Sequence, residues 1–186
     1  KNIPSAKVTG FQSINEFNSY NPMEIIATKK ETAQLIQQNK GQPYLIFPED
    51  RLHSIRMKND LPERWIRKGI KTSFTDTAMK GENFACQLGI YALQDLKNIH
   101  LHFSDLTNSN GKIIASKNMS CLNTDGTDYT GKPMHKTVDV EKGEIQPLWA
   151  LINVPEDIPE GVYSGNITVS TSGNSGAKNI NIHLVL

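Results

Sequence analysis

The sequence has no excess of charge of either sign and no long apolar run. Its 20 Lys and Arg residues are balanced by 19 Asp and Glu residues, and no five basic residues follow one another. This balance excludes the basic footprint of a nucleic-acid-binding protein, and we interpret the basic run at 64–68 as a solvated strand or loop face. Since no stretch of about 18 apolar residues is present, we expect no membrane-spanning helix. Residues 1–5 lack the apolar core of a signal peptide. A mature protein from which the signal peptide has been removed would lack it as well.

Cysteine is scarce: the chain has only Cys86 and Cys121, each in a strand-like segment with apolar neighbours. Two cysteines so far apart do not have the spacing of a zinc site. They are either two buried free thiols or one disulfide, which would need adjacent strands and Cα atoms within about 7 Å. We favour free thiols, because a chain of 186 residues can build a core without a covalent cross-link.

Motifs of several enzyme classes are also missing. There is no G-x-S-x-G nucleophile elbow and no glycine-rich phosphate loop. His100 and His102 share one face of a strand, but although Asp105 is near, no third ligand completes a metal set, which favours a solvent-facing edge strand. The loop at 125–128 lacks the full EF-hand pattern, and turn-forming Asp residues explain it. We therefore expect no catalytic residue, no cofactor and no metal site in this chain.

What the sequence does contain is a series of short segments in which apolar and polar residues alternate, separated by turns rich in Gly, Asn and Asp. Strands are predicted at 81–92, 99–103, 112–116, 120–123, 136–140, 146–154, 162–169 and 179–186. Strands at short intervals without a βαβ pattern predict an all-β fold, an antiparallel β-sandwich of immunoglobulin-like or jelly-roll-like type.

The most apolar strand is the one at 146–154. Apolar residues occupy both of its faces, with Trp149 and Leu151 on the face opposite to the expected core. A strand of this kind is usually covered on both sides, so we expect Trp149 to be buried. Pro155 ends the strand, and a Pro-Glu-Gly turn leads into the strand at 162–169.

One short helix is predicted, near the N-terminal end. Thr28 and Glu31 have the spacing of a capping box, in which the hydroxyl and the carboxylate each accept a backbone N–H. Good helix formers follow, and Gly41 and Pro43 lie beyond the end. We therefore expect a helix at about 29–39.

The rest of the first 60 residues is less regular. A strand is predicted at 6–11 and a short extended piece at 23–27. The apolar run Tyr44–Phe47 lies between prolines, which favours an edge strand. We expect residues 1–186 to form a single β-sandwich domain whose N-terminal segment, about 1–60, is irregular.

A dense polar segment follows the predicted edge strand. Glu49, Asp50, Arg51 and Arg56 lie close together in sequence, and Trp65 follows. Charges packed among prolines and aromatic residues are costly unless they are paired. These five residues are the candidate contacts with a substrate or a neighbouring domain. The alternative is that they pair with one another, with Arg56 on a carboxylate.

Three stretches form a recognisable set. The first consists of Tyr-Leu-Ile-Phe-Pro-Glu-Asp-Arg at 44–51, Ile-Arg-Met at 55–57 and Leu-Pro-Glu-Arg-Trp-Ile at 61–66. The second consists of Gly-Glu-Asn-Phe-Ala-Cys-Gln-Leu-Gly-Ile-Tyr-Ala at 81–92 and Phe-Ser-Asp-Leu at 103–106. The third is the hairpin at 146–169. In this order and spacing they resemble the N-terminal β-sandwich domain of secreted glycoside-hydrolase-like proteins of Bacteroidetes, related to glycoside hydrolase family 123. The resemblance covers about residues 25–186.

The resemblance implies an exo-acting hydrolase of N-acetyl-hexosaminide type, whose catalysis sits in a following (β/α)-barrel. There a consecutive Asp-Glu pair works with the acetamido group of the substrate. This chain has no Asp-Glu dipeptide, and a barrel needs about 250 further residues. The resemblance therefore implies an extracytoplasmic (periplasmic, cell-surface or secreted), non-catalytic domain that packs against a catalytic domain of the same polypeptide and contacts its glycan.

Two other functions stay open. A free-standing carbohydrate-binding module would need an exposed aromatic platform, for which Trp65, Tyr91 and Tyr129 are candidates. A structural or adhesive sandwich would instead need a protein partner. The carboxylates available for hydrolysis by this chain alone, the least favoured function, are Glu49, Asp50, Asp60 and Glu63.

Overall fold

Two β-sheets pack face to face, and two helices lie outside them. The computed structural model describes residues 24–172 and 176–186. In chain order its elements are α1 (Lys29–Gln38), β1 (Tyr44–Glu49), α2 (Glu63–Lys68), β2 (Ser73–Thr77), β3 (Asn83–Ala92), β4 (His100–Phe103), β5 (Leu106–Thr107), β6 (Ile113–Ile114), a 3-10 turn (Ser116–Asn118), β7 (Met119–Cys121), β8 (Asp125–Thr127), β9 (Pro133–His135), β10 (Ile145–Asn153), β11 (Val162–Ser170) and β12 (Lys178–Val185).

The first sheet has four strands in the order β1-β3-β10-β7, all paired antiparallel. The second has six strands: β2-β12-β11-β5-β6 form one path, and β4 also pairs with β11. Its pairs are antiparallel except β12 with β2, which run parallel. A separate hairpin joins β8 and β9. The predicted all-β sandwich is confirmed, and β1 is the edge strand that its flanking prolines indicated.

The main core lies between the two sheets. Alternate residues of β3 and β10, such as Phe84, Leu88 and Leu148, meet Ile167 and Ile180 from the second sheet. Full burial of each such side chain contributes about 1.5–3 kcal/mol. The hydroxyl of Tyr44, at the start of β1, donates to the carbonyl of Val169 at 2.9 Å and so ties the two sheets together.

A second hydrophobic cluster covers part of the outer face of the four-stranded sheet. Leu45 and Phe47 of β1 and Tyr91 of β3 point outward into it, and the residues that cover them include Leu35, Ile55, Leu61 and Trp65. The cover extends to Ile145 but leaves the rest of β10 partly open, so Trp149 and Leu151 are half-buried. The expectation that Trp149 is buried was therefore wrong, because the helices cover only the β1–β3 side of this sheet.

The capping box predicted from Thr28 and Glu31 is confirmed, and both of its reciprocal hydrogen bonds form. The helix is followed by a second one, α2, in the run that we interpreted as a solvated strand or loop. That interpretation was wrong: Pro62 precedes the helix and Gly69, at φ 68°, ends it. Six residues are too few to display a helical period in sequence. Among the described residues, no helix is both long and apolar enough to cross a membrane.

Other sequence expectations differ in detail. Residues 136–139 form no strand, and Val140 makes only an isolated bridge with Leu96. Most of the loop predicted at 125–128 pairs instead, as β8. The strand predicted at 6–11 lies outside the described residues.

The two cysteines are free and buried, as favoured. Cys86 on β3 and Cys121 on β7 pair with the same residue, Ala150, from opposite sides of β10. Two strand spacings separate their Cα atoms by about 10 Å, which is too far for a disulfide.

Candidate functional site

The polar segment predicted as a contact site lies at the outer face of the four-stranded sheet. Glu49 ends β1, on the same face as Phe47, yet it is only 2% exposed. Two residues of α2 cover it: the Arg64 guanidinium and the Trp65 indole N–H both donate to Glu49 Oε1. Charge-assisted hydrogen bonds of this kind hold α2 on the sheet.

Arg64 is the centre of this network. Its Nε donates to Glu24 Oε1 at 2.8 Å, its Nη1 donates to Glu49, and the residue is 9% exposed. Its Nη2 is buried without a partner among the described residues. Breaking a buried pair by removing one member typically costs about 3–5 kcal/mol, because the other charge is left uncompensated. Glu49 and Arg64 therefore form a structural ion pair.

Trp65 is packed into the same face. Its ring stacks on Phe47 with centroids 4.4 Å apart and planes within 8° of parallel. On the neighbouring strand, a Cβ at Gly89 would lie 2.4 Å from Trp65 Cη2, so only glycine leaves room for the indole. At 1% exposure the ring offers no platform to a sugar.

Asp50 caps the turn that follows β1. Its Oδ1 accepts the backbone N–H groups of Leu52 and His53, and the His53 ring lies 2.7 Å away at Nδ1. Partial burial alone would raise the pKa of Asp50, but the hydrogen bonds from His53 and Leu52 and the charge of His53 hold that pKa below its ordinary value. Asp50 is thus a turn-stabilising carboxylate.

Glu49, Asp50 and His53 bring potential metal-ligand atoms within 4.8 Å of one another. Each is already engaged, Glu49 with α2 and Asp50 with His53. The neighbouring Arg64 charge also disfavours a cation there. These contacts account for the cluster.

The two remaining candidates are exposed. Arg51 pairs with Glu82 and donates to the Thr77 carbonyl at 3.2 Å, which ties the turn to the sheet edge. Arg56 is exposed and makes no ion pair with a described residue. The alternative that placed Arg56 on a carboxylate was wrong: the arginine that pairs with Glu49 is Arg64, and the one in the turn that pairs with an acid is Arg51, with Glu82.

A groove opens beside the second cluster, between α1 and the chain at 59–61. Its volume is about 340 Å³. Tyr91, 4% exposed, contributes to its lining, and Leu61 and Ala33 are among its apolar residues. Its polar residues are Lys29, Thr32, Asn59 and Asp60.

The other sequence candidates have structural explanations. His102 Nε2 lies 3.0 Å from Ser170 Oγ, and Asp105, the acidic residue nearest in sequence, accepts the Ser116 N–H instead. In the polar loop, Asp128 Oδ1 accepts the backbone N–H groups of Thr130 and Lys132, which confirms a turn-forming Asp. The hydrogen bonds from Thr130 and Lys132 lower the pKa of Asp128.

Sequence reasoning missed Arg64 and the groove. Arg64 pairs across 15 residues with Glu49 and across 40 with Glu24, and no local pattern reveals such distances. The groove depends on how α1 lies against residues 59–61. Of the three suggested aromatic platforms, Trp65 and Tyr91 are buried and Tyr129 is fully exposed.

No protein-family model and no curated protein matches the sequence. Among solved structures, the fold is similar to part of a family 123 glycoside hydrolase from Clostridium perfringens, described for glycolipid glycan hydrolysis. The TM-score is 0.55 and the sequence identity 17%, over 76% of this chain and 27% of that enzyme. This chain thus spans about a quarter of the enzyme's length, and at this identity the likeness establishes the fold alone.

Two fimbrial proteins are less similar. MyfA, the major subunit of Myf fimbriae from Yersinia enterocolitica, solved with galactose, has a TM-score of 0.43 and 8% identity, over 76% of this chain and 98% of MyfA. The CooA pilin subunit from enterotoxigenic Escherichia coli has a TM-score of 0.36 and 12% identity, over 75% and 95%.

Proposed function

We propose that this chain is a non-catalytic β-sandwich domain of a larger glycan-degrading hydrolase. The observation that carries the proposal is the fold similarity to 27% of a family 123 glycoside hydrolase, at a TM-score of 0.55. The sequence stretches at 44–66, 81–106 and 146–169, which resemble secreted glycoside-hydrolase-like proteins, support it separately. On this proposal the catalytic groups belong to another domain of an extracytoplasmic polypeptide, and the sandwich packs against that domain.

The chemistry of the described carboxylates supports a non-catalytic role. Glycoside hydrolysis usually needs two carboxyl groups that are free to transfer a proton or to attack. Glu49 is committed to Arg64 and Trp65, and Asp50 to its turn. Glu63 lies 3.8 Å from Arg67 on the exposed side of α2. Glu49 and Asp50 therefore hold the fold together, and neither is free to act in such a pair.

The exposed members of the predicted contact set are the ones that would meet a neighbouring domain. Arg51 keeps 48% of its side chain exposed while it pairs with Glu82, and Arg56, further along the same connection, is exposed as well. Interfaces between domains are polar, and an Arg fork suits a carboxylate on the other side.

The test is to express the complete gene product and the 186-residue chain separately, and to assay both on aryl N-acetyl-hexosaminides. We expect turnover by the complete product and none by the chain alone. Turnover by the isolated chain that Glu49→Gln abolishes would overturn the proposal, as would a gene product with no further domain. Fractionation of the source cells tests the extracytoplasmic location.

A further inference from the structure

Part of the outer face of the four-stranded sheet stays open, and it is apolar. The cover formed by the second cluster ends at Ile145, so Trp149 and Leu151, further along β10, are half-buried. Leu122 directly follows β7, donates its N–H to the Trp149 carbonyl at 2.9 Å and is 50% exposed. Ala85 of β3 pairs with Leu151 from the other side and is half-buried. We name Ala85, Leu122, Trp149 and Leu151 the β10 patch.

The strands that carry the β10 patch add no charge to it. No charged residue occupies an outward position of β3, β7 or β10 in the described part of the chain. A sheet face that meets water normally carries polar side chains, as the outer face of the six-stranded sheet does with its Ser, Thr, Asn and His. A contiguous apolar area that includes a tryptophan is typical of an interaction surface, because its exposure to water is unfavourable.

A positive charge lies at the margin of the β10 patch. The connection from β1 to α2 passes over the sheet here, since the Ile55 N–H donates to Gln87 Oε1 at 3.1 Å and Gln87 is the neighbour of Trp149 in the sheet. Arg56 follows Ile55, is exposed and makes no ion pair with a described residue. An arginine beside an apolar area suits a partner that presents a carboxylate next to apolar side chains.

A second copy of this chain fits the β10 patch less well than a different domain does. In a two-fold dimer the same surface faces itself, so Arg56 of each copy would meet strands that hold no outward carboxylate. The edge strand beside the patch, β7, spans only three residues, Met119–Cys121, and offers little backbone for pairing with another copy. The chemistry of this surface therefore favours a partner of different sequence.

We propose that the β10 patch is the surface on which the neighbouring domain of the same polypeptide packs, with Arg56 paired to a carboxylate of that domain. This inference rests on the function proposed above, which supplies such a domain. It adds the location of the interface and the chemistry of its other side, namely apolar side chains over Trp149 and Leu122 and an acid at Arg56. Interfaces between domains of one chain bury about 600–1,500 Å², so the patch forms the centre and the uncharged polar residues around it form the rim.

The test is hydroxyl-radical footprinting, read by mass spectrometry, of the 186-residue chain and of the complete gene product. Trp149 is half-buried and Trp65 is 1% exposed, so in the chain alone Trp149 should be oxidised faster than Trp65. In the complete product the oxidation rate of Trp149 should fall about fivefold, because the core of an interface excludes water, and Trp65 should stay unreactive.

A matched pair of variants of the complete product locates the interface. Leu122→Lys adds a charge at a half-exposed position of the patch, and it should restore most of the Trp149 oxidation rate, because a buried charge without a partner is unfavourable. Val162→Lys adds the same charge at an equally exposed position, 51%, on the other sheet. It should leave Trp149 protected, and equal effects of the two variants would contradict the proposed location.

The proposal is overturned if Trp149 is oxidised equally fast in both proteins. It is also overturned if Trp149 is already protected in the chain alone, either by residues 1–23 or by a second copy, which sedimentation would detect. A gene product without a further domain would overturn both proposals. A further domain that hydrolyses glycosides while Trp149 stays reactive would overturn only this one, and a domain that protects Trp149 without hydrolysing glycosides would overturn only the hydrolase function.

Discussion

The two outer faces of the sandwich are stabilised in different ways. On the four-stranded sheet, the outward side chains of β1 lie beneath α2 and the chain between β1 and α2, and one of them is the charged Glu49. On the six-stranded sheet, the outward positions of β4, β11 and β12 carry only Ser, Thr, Asn, His and Val in the described strands, and they are exposed or half-buried.

The uncovered face depends on cross-strand pairs. Thr168 donates to Asn179 at 2.8 Å, and Ser164 lies 2.9 Å from His183. Each such pair contributes about 0.2–1 kcal/mol, so no single one decides the stability of the fold. The covered face instead depends on a few contacts, each of which contributes more. Single substitutions should therefore lower the free energy of unfolding more on the covered face than on the uncovered face.

The largest effect is expected at the buried ion pair. Glu49→Ala leaves the Arg64 and Trp65 donors without their acceptor, so the free energy of unfolding should fall by about 3–5 kcal/mol. Urea denaturation measures this. Thr168→Ala on the uncovered face is the control and should lose no more than about 1 kcal/mol. Equal effects of the two variants would contradict the contrast between the faces.

Next is the close approach of Trp65 to β3. Gly89→Ala inserts a methyl group 2.4 Å from the indole, so α2 must shift, and we expect a loss of about 1–3 kcal/mol. Gly126→Ala is the matched control, because its added Cβ meets nothing closer than Met134 Cε at 4.0 Å. If thermal unfolding shows the two alanine variants to be equally stable, the packing of α2 is looser than described.

A smaller effect is expected at the start of α1, which helps to cover the same face. Thr28→Ala removes the hydroxyl that caps the Glu31 N–H and should cost about 1 kcal/mol. Thr28→Ser retains the hydroxyl and should recover most of the loss in urea denaturation. Failure of serine to do so would mean that the threonine methyl group matters more than the cap.

The smallest effect concerns the pH dependence of stability at Asp50. Because its pKa is lowered in the folded state, the carboxylate stabilises the fold above its unfolded pKa of about 3.9, and this contribution is lost as the pH falls through the folded pKa. The side chain is 35% exposed, so the contribution is modest. As the pH falls below about 5, Asp50→Asn should lose less stability than the wild type, and equal losses in the two proteins would contradict this contribution.

Much of the sandwich could be predicted because the sequence patterns that indicate its strands and its first helix each lie within a few consecutive residues. In β3, β11 and β12, inward-facing apolar residues recur at every second position, and the capping box of Thr28 and Glu31 predicts the start of α1. The apolar residues on both faces of β10 predicted a cover that the helices only partly provide. How far a cover extends depends on the path of the chain, which alternation along one strand does not describe.

The candidate site could be predicted only in part, because its contacts are distant in sequence. The segment around Glu49 was predicted to be costly unless paired, and one interpretation placed Arg56 on a carboxylate. Glu49 instead accepts from Trp65, which belonged to the predicted set, and from Arg64, which did not. The helix that carries Arg64 is too short to show a period. The groove between α1 and residues 59–61 is lined by residues from separate segments of the chain, and no pattern within any one segment indicates it.

Because the two thiols lie on either side of Ala150, their reaction with alkylating reagents can report how the four-stranded sheet unfolds. Burial raises the pKa of Cys86 to about 12, with a smaller contribution from the charge of Asp76, so in the closed sheet this thiol remains protonated and inert to alkylating reagents. Cys121 becomes accessible when β7 leaves one edge of β10, and Cys86 only when β3 separates from its neighbours. Timed alkylation of the two thiols would therefore record the order in which the four-stranded sheet comes apart, without any introduced label site.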